Sequence, residues 1–324
     1  MNPDYFPSLN KVKAGIKKLK EKEFPVYREG IDVELFVEEI TNEVFKEFDF
    51  VINAKQPTKC NRPFMDFFRV RAYDTFTNIN LIREHSYPPI ERTGMGRCNF
   101  PKFPVFYCSN DIGTALLEVV RNTKGDSKKY CISKWNLIQS EEELFFENFL
   151  QIQLPKENHF NILKENIAQK IKEPFEREFN KQMDKDQEAG LLEYLKYLHN
   201  CFIQDENYSL SAALAHRTLY APHNCRTDIL MYPSVQSMFK GVNMALNPNF
   251  VENNLKLTRL YILEFEVFNP QSGEMRINIS GYAEVEKNVI MWKTVNPDND
   301  EYNKAIKEDF QSMFNSEFRK NNLP

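Results

Sequence analysis

Residues 94–120, GMGRCNFPKFPVFYCSNDIGTALLEVV, pass from a glycine- and proline-bearing loop through a short apolar run into a helical pattern. The run Val105 to Cys108, bounded by turn residues, is expected to be a buried strand. Asn110 or Asp111 stands where a helix cap belongs. Ile112, Ala115, Leu116, Val119 and Val120 then recur at intervals of three and four, the spacing of a helix with one apolar stripe. Glu118 falls off that stripe, so a rigid helix would present its carboxylate away from the core.

Outward from this unit, CNRPFMDFFRVRAYD at residues 60–74 opens with turn residues and becomes apolar and aromatic, as the first strand of a domain would. The domain boundary is therefore expected near residue 60. Residues 1–60 read as an appended helical piece. Leu9, Val12, Ile16 and Leu19 form one stripe, and Val33, Phe36, Val37, Ile40, Val44 and Phe48 a second. The lysines around the first stripe are read as its solvated side. Residues 139–207, charged and with Pro155 and Pro174 as breakers, predict a helical insertion. A strand is expected at Asp228 to Tyr232. Tyr261, Leu263, Phe265 and Val267 alternate with Ile262, Glu264 and Glu266 in the period of a half-buried strand, with shorter strands near Tyr282 and Ile290. A polar helix follows Pro297. The domain reading is thus a helical extension at 1–60, a catalytic domain at 61–300 carrying the insertion, and a C-terminal helix at 301–324.

Composition excludes more than it selects. The 324 residues are 42% hydrophobic and 27% charged, which is ordinary for a folded globular chain. A formal charge of -4 gives no net attraction to nucleic acid or an anionic membrane, and no nucleic-acid or membrane partner is expected. No run approaches the roughly 20 apolar residues of a membrane span, and the first residues lack the apolar run of a signal peptide, so a cytoplasmic location is expected. Cys60, Cys98, Cys108, Cys131, Cys201 and Cys225 show no paired spacing, and His216, His223 and Cys225 match no zinc pattern, so no metal is expected. The absence of GxGxxG, GxxxxGK[ST] and GxSxG speaks against Rossmann, P-loop and serine-hydrolase sites.

Five short motifs occur in order: Phe67-Phe68-Arg69; Gly94 to Asn99 with Arg97; Pro104 to Tyr107; Thr114 to Glu118; and Tyr232-Pro233-Ser234 with Gly241-Val242-Asn243 behind it. The series resembles the RES-domain family, over roughly residues 67 to 246. The family includes bacterial toxins that break down NAD, with a core similar to that of ADP-ribosyltransferases. The resemblance implies an α+β fold with a mixed or split antiparallel sheet and packed helices. It implies Glu118, Arg69 and Ser234 as catalytic residues, and Arg69, Arg97, Tyr107, Ser234 and Asn243 as NAD-binding residues. NAD would be the substrate, with no bound cofactor, and inorganic phosphate is a candidate co-substrate. A cognate antitoxin and a homo-oligomer are the further partners to look for. Cys98 stands where the family usually has an aromatic residue, and Val70 where some members have tyrosine.

The residue types suit that chemistry. Breaking the nicotinamide–ribose bond expels a neutral leaving group and leaves an oxocarbenium-like centre, which one fixed carboxylate can stabilise. A pyrophosphate calls for arginine forks. Tyr107 offers a flat aromatic face and a hydroxyl, Ser234 a hydrogen bond to ribose or amide. Asn243 would cap a helix or support the Ser234 loop. Taken singly, each residue also fits a structural role. Two other functions stay open: transfer of ADP-ribose to a protein or nucleic acid, and a catalytically inactive nucleotide-binding or interaction module.

Overall fold

The computed structural model describes residues 6–48, 53, 55–59, 66–120, 129–138, 142–156, 158–164, 170, 172, 173, 176, 182–220, 227–269, 274–311 and 313. Among them one sheet of ten strands organises an α+β fold. Its order is β1-β5-β6-β7-β3-β2-β4-β8-β9-β10. The strands are β1 (Lys55–Lys59), β2 (Asp66–Ala72), β3 (Phe106–Ser109), β4 (Lys129–Leu137), β5 (Glu143–Asn148), β6 (Ile229–Pro233), β7 (Val242–Leu246), β8 (Leu255–Asn269), β9 (Glu274–Glu286) and β10 (Val289–Lys293). β5 and β6 run parallel, and the other neighbours are antiparallel. The sheet is mixed, as expected.

It is also split. β2 pairs with β4 along its whole length, yet meets β3 through the single pair Phe68 and Ser109. The larger core nonetheless runs across this seam on one face, joining Phe67, Trp135, Leu257 and Leu260 to Phe106 and Cys108, while a second cluster lies on the other face. The helix α3 (Ile112–Val120) buries Ile112, Ala115, Leu116 and Val120 in a cluster with Phe68, Val70 and Ala72 of β2 and with Ile132, Tyr261 and Leu263. The last described helix, α7 (Asp300–Asp309), adds Tyr302 and Ala305 to the same cluster. β3, β6 and β7 instead join the larger core with α1 (Leu9–Lys20), α2 (Val33–Phe48), α4 (Lys185–Gln204) and α5 (Ser209–Leu219). A short helix, α6 (Pro248–Asn254), leads into β8.

The two N-terminal stripes are not set apart as an appendage. Val12, Ile16, Leu19, Phe36, Val37, Ile40 and Val44 are buried in the same core as the sheet, and Gly190 of α4 lets that helix approach the backbone of Pro7 and Leu9, where a Cβ would come within 2.8 Å of the Pro7 carbonyl. Residues 55–59 are strand, and the boundary expected near residue 60 lies outside the described residues. The insertion is less helical than expected. Glu143–Asn148, read as helix, is β5. Leu144 and Phe146 are buried, while β1 and β6 take the strand's backbone bonds on both sides, so cross-strand pairing overrides local helical preference.

α7 is anchored by a buried charge cluster. The Asp309 side chain meets Lys134 Nζ at 2.6 Å and Arg259 Nη1 at 3.2 Å, and accepts the Tyr261 hydroxyl at 2.5 Å. Removing one partner leaves buried charge uncompensated. Asp309→Ala is expected to lower unfolding free energy by about 3–5 kcal/mol, read from urea denaturation; a loss under about 1 kcal/mol would contradict this anchoring role.

His199 is held neutral. Its Nδ1 accepts from Gln151 N at 2.7 Å and its Nε2 donates to Asn53 Oδ1 at 2.8 Å. Burial, with Lys164 nearby, pulls its pKa down to about 3. The unfolded chain therefore takes up the proton first, near pH 6.5, and stability is lost as pH falls from there toward the folded pKa. Between pH 7 and pH 5 the loss expected from this one group is about 2 kcal/mol. His199→Gln should flatten that part of the urea-stability profile, and an unchanged slope would contradict the assignment.

Candidate active site

Glu118 is the centre of the site. Asp111 starts α3 by accepting the Thr114 amide at 2.6 Å and the Thr114 hydroxyl at 2.8 Å, which makes it the helix cap. One and a half turns on, Glu118 Oε1 accepts the Ser234 hydroxyl at 2.5 Å and the Asn243 Nδ2 at 2.8 Å. These two donors come from β7 and from just beyond β6, which are hairpin neighbours. Ser234 is wholly buried and Asn243 nearly so. Two donors on one oxygen fix the plane of a carboxylate, and here they fix it across the seam of the sheet.

The hairpin turn is shaped for this contact. Ser237 N donates to Ser234 Oγ at 3.2 Å, Ser237 Oγ donates to the Ser234 carbonyl, and Gly241 N donates to Ser237 Oγ at 2.8 Å. Met238 and Phe239 take positive φ values of 53° and 63° to close the turn. Gly241 packs so tightly on α3 that a Cβ there would sit 2.0 Å from Thr114 Oγ1.

Arg97 lies in a tight turn riveted from below. Gly96 and Asn99 exchange backbone hydrogen bonds, and Asn99 Nδ2 donates to the carbonyls of Gly94 and Phe100. The Tyr107 hydroxyl donates to Asn99 Oδ1 and accepts from Cys98 N, both at 2.8 Å. A Cβ at Gly96 would collide with Asn99 Oδ1 at 2.5 Å and the Tyr107 hydroxyl at 2.8 Å. The tyrosine expected to offer its hydroxyl to a ligand has therefore committed it to the turn. Burial holds the phenols of Tyr107 and Tyr232 well above their usual pKa. The same burial keeps the wholly buried Cys98 a thiol, which removes it as a nucleophile. Beside the larger effect of burial, the Glu118 carboxylate raises and the Arg97 guanidinium lowers the Tyr232 phenol's pKa, so both charges act on that buried ring. Arg97 itself donates through Nη1 to the Phe202 carbonyl at 2.5 Å, and its guanidinium lies 5.0 Å from the Tyr208 ring centre.

Arg69 is not part of that neighbourhood. The two-residue period of a strand decides this: Phe68, Val70 and Ala72 pack with α3, so Arg69 and Arg71 project from the other face. Arg69 Nη1 donates to the Tyr107 carbonyl at 3.0 Å, and its guanidinium sits 5.5 Å from the Phe106 ring centre. Burial, reinforced by Arg71, pulls its pKa down to about 10. The structure thus brings Glu118, Ser234 and Asn243 into contact, joins Tyr107 to the Arg97 turn in a second hydrogen-bonded group, and places Arg69 on the other face of β2.

Asn99, Gly96, Thr114 and Gly241 carry the geometry without having been assigned a role from sequence. Asn99 had a signal in the Gly-Arg-Cys-Asn run. The close approach of Gly241 to α3 had none, because the two are distant in sequence. Of the His216, His223 and Cys225 group, the last two lie outside the described residues. His216 packs against Phe103 and Tyr220 and bonds Glu34. Among the described residues no group of three or more candidate ligands is placed to hold a metal ion, and no helix is long and apolar enough to cross a membrane.

A family model, the RES domain, matches residues 68–134. The match runs from β2 through the Arg97 turn, β3 and α3 into β4, and so includes Arg69, Arg97, Tyr107 and Glu118; Ser234 and Asn243 lie beyond it. No curated protein matches the chain.

Adding a methyl at Gly241 forces the hairpin off α3. Gly241→Ala is expected to cost about 1–3 kcal/mol of stability by overpacking, measured by urea denaturation. A neutral result would contradict the contact between the hairpin and α3.

Proposed function

We propose, from the premise that this chain carries a RES domain over residues 68–134, that it is an NAD-acting enzyme which cleaves the nicotinamide–ribose bond. The observation that carries the reading is the Glu118 carboxylate held by Ser234 and Asn243. In the reaction the C1–N bond of the nicotinamide ribose breaks, and its electron pair returns to the pyridinium nitrogen, so nicotinamide leaves neutral. Glu118 faces the oxocarbenium-like carbon and stabilises its charge, a role that needs a carboxylate fixed before the charge develops. Ser234 and Asn243 keep it fixed. A lone pair from water or inorganic phosphate then forms the new C1–O bond, giving ADP-ribose or ADP-ribose-1″-phosphate; with water, a proton is released.

Arg97 would supply a guanidinium for the pyrophosphate, and Tyr107 a ring wall. Arg69 acts here as a positioning residue. Its bond to the Tyr107 carbonyl ties β3 to β2 where only one residue pair joins them. An enzyme of this kind drains NAD from its own cell and needs a neutralising protein partner, which fits a toxin paired with an antitoxin.

The test is purified protein incubated with NAD, with and without phosphate, and products separated by chromatography and mass. Wild type should release nicotinamide, and Glu118→Gln should slow this about 100-fold or more while keeping its circular dichroism spectrum. The phosphate arm names the acceptor. Equal rates in wild type and Glu118→Gln would overturn the proposal. Radiolabel from NAD appearing on a macromolecule, without free product, would replace it with ADP-ribosyl transfer.

A further inference from the structure

On the face of the sheet opposite Glu118 a cleft of about 920 Å³ opens between β2, the 75–92 loop and α6, within the roughly 300–1,000 Å³ range of small-molecule sites. One end is cationic: Arg69 and Arg71 project into it from alternate positions of β2, and Arg92 joins them from the loop. Arg71 is held by the carbonyls of Glu84 and Thr75 and lies 3.7 Å from the Glu84 carboxylate. Among the described residues that is the one ion pair these three arginines make. Arg69 Nε is buried with no hydrogen-bond partner, a costly state for a guanidinium donor. The positive charges act on one another, Arg71 on Arg69 and Arg92 on Arg71. Of the other carboxylates in the lining, Glu252 accepts the Tyr87 hydroxyl, and Glu91 sits on the exposed rim beside Arg92, with Arg83 as a fourth arginine. The wall next to this cationic end is apolar, made by Ile82, Trp135, Val251 and Leu255.

Converging guanidinium groups with a spare buried donor suit phosphate oxygens, and the flat apolar wall suits a ring system. We infer that this cleft binds a phosphate-bearing ligand with a ring body, the chemistry of a nucleotide, at a place separate from the Glu118 carboxylate. The ligand is either the adenylate half of the substrate or an independent effector. The inference goes beyond the cleavage reading and does not depend on turnover.

Isothermal titration of the full chain with ADP, at low salt, tests it. ADP should bind wild type and Glu118→Gln with the same affinity, and more tightly than inorganic pyrophosphate does, because only ADP covers the apolar wall. Arg92→Glu, an exposed change outside the catalytic machinery, should weaken ADP about tenfold or more. Titrating NAD into Glu118→Gln, with and without Arg92→Glu, separates the sources: weakened NAD binding assigns the cleft to the substrate's adenylate half, and unchanged NAD binding assigns it to an effector. No detectable ADP binding, or ADP binding that Arg92→Glu leaves unchanged, would overturn the inference.

Discussion

Two side chains from the β6–β7 hairpin converge on one oxygen of Glu118, and this contact is made across the weakest seam in the sheet. α3 belongs to the packing of β2, β4 and β8, whereas the hairpin belongs to the larger core. Hydrogen bonds to a charged group contribute about 1.5–3 kcal/mol each, so the pair is a substantial link on the α3 face of a seam where β2 and β3 share one residue pair. Gly241 allows it by letting the hairpin backbone reach Thr114, and Asp111 allows it by fixing where α3 begins. A carboxylate at this seam is held from β6 and β7 on one side while its helix packs on β2 on the other.

The segments flanking this core also converge on the site. Arg97 is gripped by the end of α4 and the turn before α5, through Phe202 and Tyr208. α4 is seated on α1, whose stripe is buried with it. The N-terminal helices therefore support, through α4, the residues that hold the arginine turn. Tyr107 holds the same turn from β3, and Arg69 in turn holds the Tyr107 carbonyl. Arg69, Tyr107 and the Arg97 turn thus form one hydrogen-bonded series, and Glu118, Ser234 and Asn243 form a second.

Much of this was legible in the sequence, for identifiable reasons. The α3 stripe, β3 and the alternation around Tyr261 are local periodicities, and local periodicity survives without tertiary context. Glu118 is marked by the Thr114–Glu118 motif and lies off its helix's apolar stripe. Ser234 was found by its motif, yet its bond to Glu118 depends on a hairpin packing that no spacing encodes. Arg69 shows the limit most clearly: its motif marked it as important, while the strand alternation with Phe68 and Val70 sends its side chain away from Glu118. β5 was misread because ELFFEN is partnered on both edges by distant strands, and such pairing outweighs local preference. No element is expected from sequence at β4, α5 or α6, and Asn243, expected to cap a helix or support the Ser234 loop, lies instead in strand β7 and donates to Glu118. β7 is buried throughout and α5 nearly so, and full burial leaves no alternation or stripe to read.

The proposed cleavage requires the nicotinamide ribose to sit against the carboxylate held by Ser234 and Asn243. A crystal structure of Glu118→Gln soaked with NAD tests it directly. The anomeric carbon is expected within van der Waals contact of the residue 118 side chain, on the face of the sheet that carries α3. Nicotinamide ribose found on the opposite face, among Arg71, Trp135 and Val251, would contradict it.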